Sequence, residues 1–118
     1  MEAIELHLRR AEKILDVAFD DGSHFSLPAE YLRVESPSAE VQGHGPDQRK
    51  VVSGRRHVGI TGIEPVGHYA VRLIFDDTHD SGIYTWTFLH QLGRERQERW
   101  SRYLDELKAK GLSRDPYK

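Results

Sequence analysis

Cysteine is absent from this chain of 118 residues. Its absence excludes disulfide bonds, cysteine nucleophiles, thiolate metal sites and iron–sulfur clusters held by cysteine. The chain also lacks an apolar run near the roughly 18 residues that cross a bilayer, and its N-terminus lacks the basic start and apolar core of a signal peptide. We therefore expect a cytoplasmic protein with no membrane partner.

A surplus of positive charge is missing as well. The formal net charge is −2 and the pI about 6.4, which gives no electrostatic footprint for nucleic acid or an anionic membrane. Hydrophobic residues make up 37% and charged residues 31% of the chain, a balance typical of a folded globular domain. The length predicts one domain over residues 1–112, followed by a flexible tail at residues 113–118.

The N-terminal part of the chain carries the alternation of apolar and polar residues that predicts strands. Three segments have this pattern: residues 4–8, 14–19 and 24–27. Asp21-Gly22 predicts a two-residue turn that tolerates positive φ and closes a hairpin. Pro28 fits the first turn of a short helix over residues 29–33, because a missing N–H costs nothing there. Residues 35–57 have little periodicity and predict a long irregular segment.

The C-terminal part predicts further strands and then two helices. The strands are expected at residues 60–64, 68–75 and 83–84. An apolar face of the middle strand is formed by Tyr69, Val71, Leu73 and Phe75. Thr85 is a suitable N-cap for the first helix, and Gly93 is a suitable end. The second helix is predicted over residues 94–110. Its buried stripe is predicted to be Trp100, Tyr103, Leu104 and Leu107.

These elements predict an α+β fold. We expect a mostly antiparallel, twisted sheet built from hairpins, with a short connecting helix and two C-terminal helices packed on it. The edges of such a sheet allow either a monomer or a weak homodimer.

The sequence Phe-Asp-Asp occurs twice, at residues 19–21 and 75–77, each time at the end of a predicted strand. A histidine follows within a few residues, and a short helix comes later. An internal duplication is one interpretation. The other is that two independent hairpins use the same kind of turn.

Two histidines are the candidates for chemistry. His79 lies beside Asp76, Asp77 and Asp80 in sequence, and imidazole next to carboxylates can form a divalent metal site or a general base. The alternative is a turn histidine that bonds a backbone carbonyl or a neighbouring Asp. His44 lies between two glycines, which allow a close approach to a ligand, although a loop tip has the same composition. A metal site for zinc or iron would combine His79, His44 and Asp77.

Four segments together resemble the gamma-butyrobetaine-hydroxylase-like N-terminal domain, and the match extends over nearly all of residues 3–110. They are Phe19-Asp20-Asp21-Gly22, residues 27–33, residues 63–71 and residues 79–86. In zinc-bearing members of that family, a Cys-Pro-Cys-x-x-Cys run and a later histidine hold one zinc ion. The resemblance places these four positions on Ser36, Ser38, Val41 and His79. All three thiols are therefore missing, and only the histidine remains.

The resemblance also implies a class of function. Domains of this family stand at the N-terminus of carnitine-pathway 2-oxoglutarate dioxygenases, whose catalytic iron lies in a separate domain, and are appended to some iron–sulfur carrier ATPases. We therefore expect a non-catalytic interaction or accessory module whose protein partner is an iron-dependent oxygenase or an iron–sulfur protein. The alternative is a metal-binding protein or small enzyme that uses His79, His44 and the Asp76/Asp77 turn. A third hypothesis is that packing replaced the zinc, which requires a buried Val41.

Overall fold

The computed structural model describes residues 1–43 and 49–116. These residues form two three-stranded antiparallel sheets and four helices. The first sheet contains β1 (Ala3–Arg9), β2 (Ile14–Phe19) and β3 (His24–Pro28), in that order. The second sheet contains β4 (Ile60–Val66), β5 (Ala70–Phe75) and β6 (Ile83–Thr85), in that order. The helices are α1 (Ala29–Val34), α2 (Ala39–Gln42), α3 (Trp86–Arg94) and α4 (Arg96–Ala109). The predicted α+β class is confirmed, with the strands divided between two sheets.

The core lies where the middle strands of the two sheets turn their apolar sides inward. Successive side chains of a strand point to opposite faces, and β2 and β5 both alternate in this way. Their buried residues are Leu15, Val17 and Phe19 in β2 and Val71, Leu73 and Phe75 in β5. Leu32 of α1 and Leu89 and Leu92 of α3 complete the same cluster. Each such side chain contributes about 1.5–3 kcal/mol when it is fully buried.

Two residues predicted to lie on apolar core faces are exposed instead. Tyr69 is 58% exposed, because β5 begins at Ala70 and Tyr69 belongs to the preceding turn, where strand alternation does not apply. Leu104 is 40% exposed, whereas Tyr103 and Leu107 of the same helix are buried. The reason is that α4 turns only one flank toward the core, and Leu104 lies on the flank that faces a surface groove.

The helix starts follow the sequence in part. The side chain of Thr85 accepts a hydrogen bond from the Phe88 amide, so the predicted N-cap of α3 is confirmed. Helix α1 begins at Ala29, as predicted, and Pro28 is its N-cap residue instead of a residue of its first turn. No helix in the two described ranges is both long and apolar enough to cross a bilayer.

The turn at residues 19–23 and the turn at residues 75–79 have the same backbone hydrogen bonds. In each, the amide of the first residue bonds the carbonyl of the fifth, at 2.9 Å in the first turn and 3.0 Å in the second. The fourth residue has positive φ in both: +87° at Gly22 and +75° at Thr78. The second Asp of each turn accepts a hydrogen bond from the amide two residues later, which is an Asx turn.

Residues 113–116 lie against the segment that precedes β4. The carbonyls of Ser113 and Arg114 accept hydrogen bonds from the amides of Gly54 and Arg56. The Arg114 guanidinium forks onto the carboxylate of Glu30 in α1, at 2.7 and 2.8 Å. The mobility expected for residues 113–118 stays a prediction, but residues 113–115 have hydrogen-bond or ion-pair partners.

Candidate functional site

Residues 36–40 lie against the turn at residues 77–81, and their side chains form one hydrogen-bonded group. Ser36 Oγ is 2.9 Å from His79 Nε2, and Ser38 Oγ is 2.8 Å from Ser81 Oγ. The Glu40 carboxylate bonds both His79 Nδ1 and the Ser81 hydroxyl, each at 3.1 Å. We call these five residues the serine–histidine network.

The short helix α2 positions the first half of this network. Ser38 is the N-cap residue of α2 and accepts a hydrogen bond from the Glu40 amide, the arrangement that Ser favours at a helix start. The Ser38 amide in turn donates to Ser36 Oγ at 3.3 Å. The Gln42 side chain donates to the Ser36 carbonyl at 2.8 Å. Bonds within the segment therefore hold Ser36 and Ser38 in addition to their contacts with the other turn.

The centre of the network is closed to solvent. Ser36 is 0% exposed and His79 is 4% exposed, whereas Glu40 lies at the surface. A Cβ atom on Gly82 would come within 2.6 Å of Ser36 Oγ, so a side chain at that position would displace the serine. The geometry leaves no surface on the Ser36 hydroxyl for a substrate to reach.

The protonation of the network follows from its donors and acceptors. Hydrogen bonds from Ser81 and His79 hold the pKa of the Glu40 carboxyl below its ordinary value, so Glu40 is an acceptor at neutral pH. Because a carboxylate can only accept, His79 Nδ1 carries the hydrogen of its bond to Glu40. His79 Nε2 and the Ser36 hydroxyl share the second hydrogen bond. Serine, histidine and acid stand in the same bonded order in nucleophilic triads, but here the serine is inaccessible.

Asp77 joins a different set of side chains. Its Oδ1 accepts the backbone amide of His79 at 3.1 Å, and its Oδ2 accepts Arg33 Nε at 2.8 Å. Arg55 Nε is 2.7 Å from the same Oδ2. Burial alone raises the pKa of Asp77, but the His79 amide and the Arg33 guanidinium outweigh it and lower that pKa overall. The Asp77 carboxylate therefore accepts hydrogen bonds from Arg33 and a backbone amide and forms an ion pair with Arg55. Among the described residues, its hydrogen bonds and ion pairs do not include the ring nitrogens of His79.

The predicted metal site is not assembled by the residues described. Within residues 1–43 and 49–116, no group of three or more His, Asp or Glu side chains is placed to hold a metal ion. His44 lies outside the described residues. The joint site of His79, His44 and Asp77 therefore stays a prediction.

The four positions that the family resemblance assigns to zinc ligands do converge. Ser36 and His79 are in direct contact, and Ser38 bonds Ser36 through its amide. Val41, at the third position, is buried, as the hypothesis of replacement by packing requires. Hydroxyl, imidazole and carboxylate groups thus bond one another at this place.

Sequence reasoning missed Glu40 and Ser81. The available signal was modest: Ser38 precedes Glu40 and the apolar Val41, which is typical of a helix start. Nothing in the spacing indicates that this helix start faces the Asp77–Ser81 turn, because the two segments are 41 residues apart where Glu40 bonds Ser81.

A groove of about 810 Å³ lies between α1, the junction of α3 and α4, and Arg114. Its apolar lining comes from Tyr31, Trp100 and Leu104, and its rim carries Arg94, Arg96 and Arg114. We call this feature the aromatic groove. The sequence pattern assigned Trp100 and Leu104 to the core, so the groove was not predicted.

The aromatic groove has an excess of positive charge. Arg114 is neutralised by Glu30 and lies 5.1 Å from the centroid of the Trp100 ring, in a cation–π contact. Arg96 Nη1 donates to a backbone carbonyl at 2.9 Å, and Arg94 Nε donates to His90 Nδ1 at 3.1 Å. Neither has a carboxylate partner among the described residues. The rim therefore favours an acidic ligand.

Comparison with known proteins finds three informative similarities. The family described as "Gamma-butyrobetaine hydroxylase-like, N-terminal" matches residues 6–90. A solved NMR structure is 45% identical, covers 99% of this chain and 92% of its own, and gives a TM-score of 0.85. A crystal structure of a protein of unknown function from Acidithiobacillus ferrooxidans ATCC 23270, assigned to the DUF971 family, is 36% identical. It covers 78% of this chain and 92% of its own, with a TM-score of 0.66. No curated protein matches the chain.

Proposed function

The chain belongs to the family of gamma-butyrobetaine hydroxylase-like N-terminal domains, and from this premise we propose that it is a non-catalytic protein-interaction module. Its partner is an iron-dependent oxygenase or an iron–sulfur assembly protein in the cytoplasm. The family description supports the first partner class, because it names the domain as the N-terminal part of hydroxylase-like proteins. The second partner class, iron–sulfur assembly proteins, is supported by the family resemblance, because domains of this family are appended to some iron–sulfur carrier ATPases.

The observation that carries the proposal is the aromatic groove. Trp and Arg are among the residues that contribute most of the binding energy at protein interfaces. This groove has the partly buried Trp100 beside Arg94 and Arg96, which have no carboxylate partner among the described residues. The complementary partner segment is acidic and bears one bulky apolar side chain. The apolar side chain covers Leu104 and Trp100. The carboxylates of the partner segment face Arg94 and Arg96.

The closed serine–histidine network supports a non-catalytic role. Both ring nitrogens of His79 have partners, and Ser36 is buried. In this proposal the network replaces the zinc ion as a structural element, because it connects the segment around Ser38 to the turn around His79 through hydrogen bonds. The module therefore keeps the shape of its metal-bearing relatives without a metal.

The first test is selection of binders from a random peptide library displayed on phage. We expect enriched peptides to carry Asp or Glu around a bulky apolar residue. Titration of one such peptide should then lose about tenfold in affinity with Trp100→Ala or Arg96→Glu. The matched control is Arg10→Glu, since Arg10 is also exposed and also donates one hydrogen bond to a backbone carbonyl. Equal losses in Arg96→Glu and Arg10→Glu would show unspecific charge attraction and contradict the proposal.

The partner class is tested by direct binding. The iron-dependent oxygenases and iron–sulfur assembly proteins of the source organism are purified and titrated against the wild type and Trp100→Ala. Binding by one of them that Trp100→Ala weakens is the expected result. Binding by none of them would remove the proposed partner class.

A second candidate function is a metal-binding protein or small enzyme centred on His79, with His44 and the Asp76/Asp77 turn. The bonded order Ser36–His79–Glu40 favours it. Elemental analysis of protein purified without chelators, beside a His79→Ala variant, and labelling with a fluorophosphonate probe separate the two functions. We expect no metal that depends on His79 and no label on Ser36. Stoichiometric zinc or iron lost in the variant, or labelled Ser36, would replace the interaction module with this function.

A further inference from the structure

The two sheets end in four edge strands: β1 and β3 in the first sheet, and β4 and β6 in the second. An edge strand carries a row of backbone amides and carbonyls that can pair with another chain, and proteins usually protect such a row. Within the described ranges, three of the four edges are protected or too short to pair. The exception is β1.

Each of the other three edges has its own protection. In β3, the Ser26 carbonyl accepts a hydrogen bond from Arg96 Nη1, and helices α1 and α3 contact the strand. In β4, Pro65 lacks an amide hydrogen, and the Thr61 carbonyl accepts a hydrogen bond from Arg10 Nη1. Strand β6 has only three residues before α3 begins. These features hinder the addition of a further strand to any of the three.

Strand β1 has none of these features. It has seven residues, contains neither Pro nor Lys, and pairs with β2 alone among the strands that the structure describes. Ile4, in a bulge near its start, is 68% exposed, the largest exposed fraction of any large apolar side chain in the described ranges. Leu6 and Leu8 pack against the core but are only partly buried. The edge therefore has apolar surface that a neighbouring strand could cover.

The hydrogen bonds of the first sheet show which backbone groups of β2 point toward β1. The Asp20 amide donates to the Glu2 carbonyl at 3.0 Å, so the backbone of Asp20 faces β1. This direction alternates from one residue to the next in an antiparallel pair. The backbone groups of Ala18 and Asp16 therefore face β1 as well.

The same alternation identifies the free backbone groups of β1. Glu5 and His7 lie opposite Ala18 and Asp16, so their amides and carbonyls are used in the pairing with β2. The amides and carbonyls of the residues between and after them, Leu6 and Leu8, point to the open edge. The side chains divide differently: the two leucines lie on the core side, and Glu5 and His7 are exposed on the other side.

The exposed side chains of β1 are complementary to a second, antiparallel copy of the same strand. A two-fold axis beside Leu6 places Glu5 of each copy opposite His7 of the other. An imidazole N–H can donate to a carboxylate whether the ring is neutral or charged. Moving the axis by one residue in either direction would place Glu5 or His7 opposite its own copy. Arg9 does not compete for Glu5, because two carboxylates of its own copy already bind it.

We propose that a second copy of this chain pairs with β1 in antiparallel orientation, with the two-fold axis beside Leu6. The two copies of the first sheet then form one sheet of six strands. Leu6 meets its own copy on the core side, and Ile4 lies next to Leu8 of the second copy. One pair of edge strands buries less than the roughly 1,200 Å² of a standard interface, so the dimer is weak. The site goes beyond the proposed interaction module, because β1 contains none of the residues of the aromatic groove.

The first test is the oligomeric state of the untagged chain. Sedimentation equilibrium should show a monomer and a dimer in exchange, with a dissociation constant on the order of 100 µM, as expected of a small interface. Nuclear magnetic resonance spectra at rising protein concentration locate the contact. We expect shifts at residues 4–8 and slower hydrogen exchange at the amides of Leu6 and Leu8.

Charge exchange tests the register. Glu5→Lys and His7→Glu should each weaken the dimer about tenfold, because two attractive cross-strand pairs become repulsive. In the double variant Glu5→Lys/His7→Glu, opposite charges again face each other, so association should return. Glu98→Lys, at an exposed position of α4, makes the same change of net charge as Glu5→Lys and should leave the dimer intact. Since Glu5 and His7 are exposed, the monomer should keep its fold in all these variants.

Four results would overturn the proposal. A chain that stays monomeric up to about 1 mM would show that the edge of β1 does not pair. Equal weakening by Glu5→Lys and Glu98→Lys would indicate a general effect of net charge. A double variant as dissociated as its single variants would exclude the register centred on Leu6. Concentration-dependent shifts at Trp100 and its neighbours, with none at residues 4–8, would assign the dimer to the aromatic groove.

Discussion

The turn at residues 19–23 and the turn at residues 75–79 share one backbone path, yet they differ in what their side chains hold. In the first, Asp21 lies at the surface and its second oxygen meets His90 Nε2 at 3.0 Å. In the second, Asp77 pairs with Arg33, whose side chain is largely buried. The fifth residue is the half-exposed Ser23 in one turn and the buried His79 in the other. The comparison shows that the same local geometry can be a surface connection or part of the interior.

The shared geometry bears on the repeated Phe-Asp-Asp sequence. Each copy lies between the second and third strands of a three-stranded sheet, and a helix follows each sheet. Both interpretations of the repeat, duplication and independent hairpins, predict the same turn. The reason is that Asp supplies the acceptor for a backbone amide and the fourth residue supplies the positive φ that this turn needs. Substitutions at matching positions then measure what each turn contributes.

The largest expected difference is between Asp77→Ala and Asp21→Ala. Removal of Asp77 leaves the buried Arg33 and the neighbouring Arg55 without their carboxylate, and breaking one side of a buried pair lowers the free energy of unfolding by about 3 kcal/mol. Asp21 is exposed, so Asp21→Ala should cost clearly less. Urea unfolding of both variants measures the difference. Equal losses of unfolding free energy would mean that the burial of the second turn does not add to stability.

The next difference is between His79→Ala and Ser23→Ala, the fifth residues of the two turns. Loss of the buried imidazole leaves the Ser36 hydroxyl without its partner and opens a cavity, which should lower the free energy of unfolding by about 2 kcal/mol. Ser23→Ala should stay within about 0.5 kcal/mol. The same urea experiment applies, and a His79→Ala variant as stable as Ser23→Ala would refute a structural role for the serine–histidine network.

A smaller and opposite effect is expected at the fourth residues. Thr78 is β-branched and has positive φ, a conformation that strains side chains with a branched Cβ. Thr78→Gly should therefore raise the free energy of unfolding by about 1 kcal/mol. The exchange in the other turn, Gly22→Thr, should lower it by a similar amount. Thermal unfolding of the pair tests this, and two changes of the same sign would contradict the shared backbone.

The smallest expected effect is on pH dependence. Hydrogen bonds from Ser23 lower the pKa of Asp21 from 3.8 to about 2, and the pKa of Asp77 is also lowered. A lowered carboxyl pKa adds stability above the unfolded value, and that stability is lost as the pH falls through the folded value. Urea midpoints should thus be flat above about pH 5 and fall between about pH 4 and 2. Asp21→Asn and Asp77→Asn should each make that fall shallower, whereas an unchanged profile in both variants would contradict the assignment.

Much of the fold could be predicted because strand alternation and turn residues are local properties. The predicted bounds of β2, residues 14–19, agree with the structure, since its apolar residues alternate without interruption. Helical spacing identified one side of α4 but could not show how far that side is covered. For this reason Tyr103 was placed correctly and Leu104 was not.

The candidate site was far less predictable. Ser36 and His79 are 43 residues apart in sequence, and no local pattern indicates that they meet. Only the family resemblance brought them together, through positions where cysteine is missing. Glu40 and Ser81 have no such guide, because a side chain that contacts a distant segment and one that does not look the same in a sequence. Their roles depend on contacts that form only in the folded chain.

The ion pair between Arg114 and Glu30 sets an order of events during synthesis. The two residues are 84 positions apart, and chains are synthesised from the N-terminus at roughly 5–20 residues per second. The first sheet and α1 therefore exist as chain long before the ribosome has added Arg114. Until then, the Glu30 carboxylate has no partner and gains by staying in water, which works against the final packing of α1. Arg114 thus completes the packing of a helix that was made long before it.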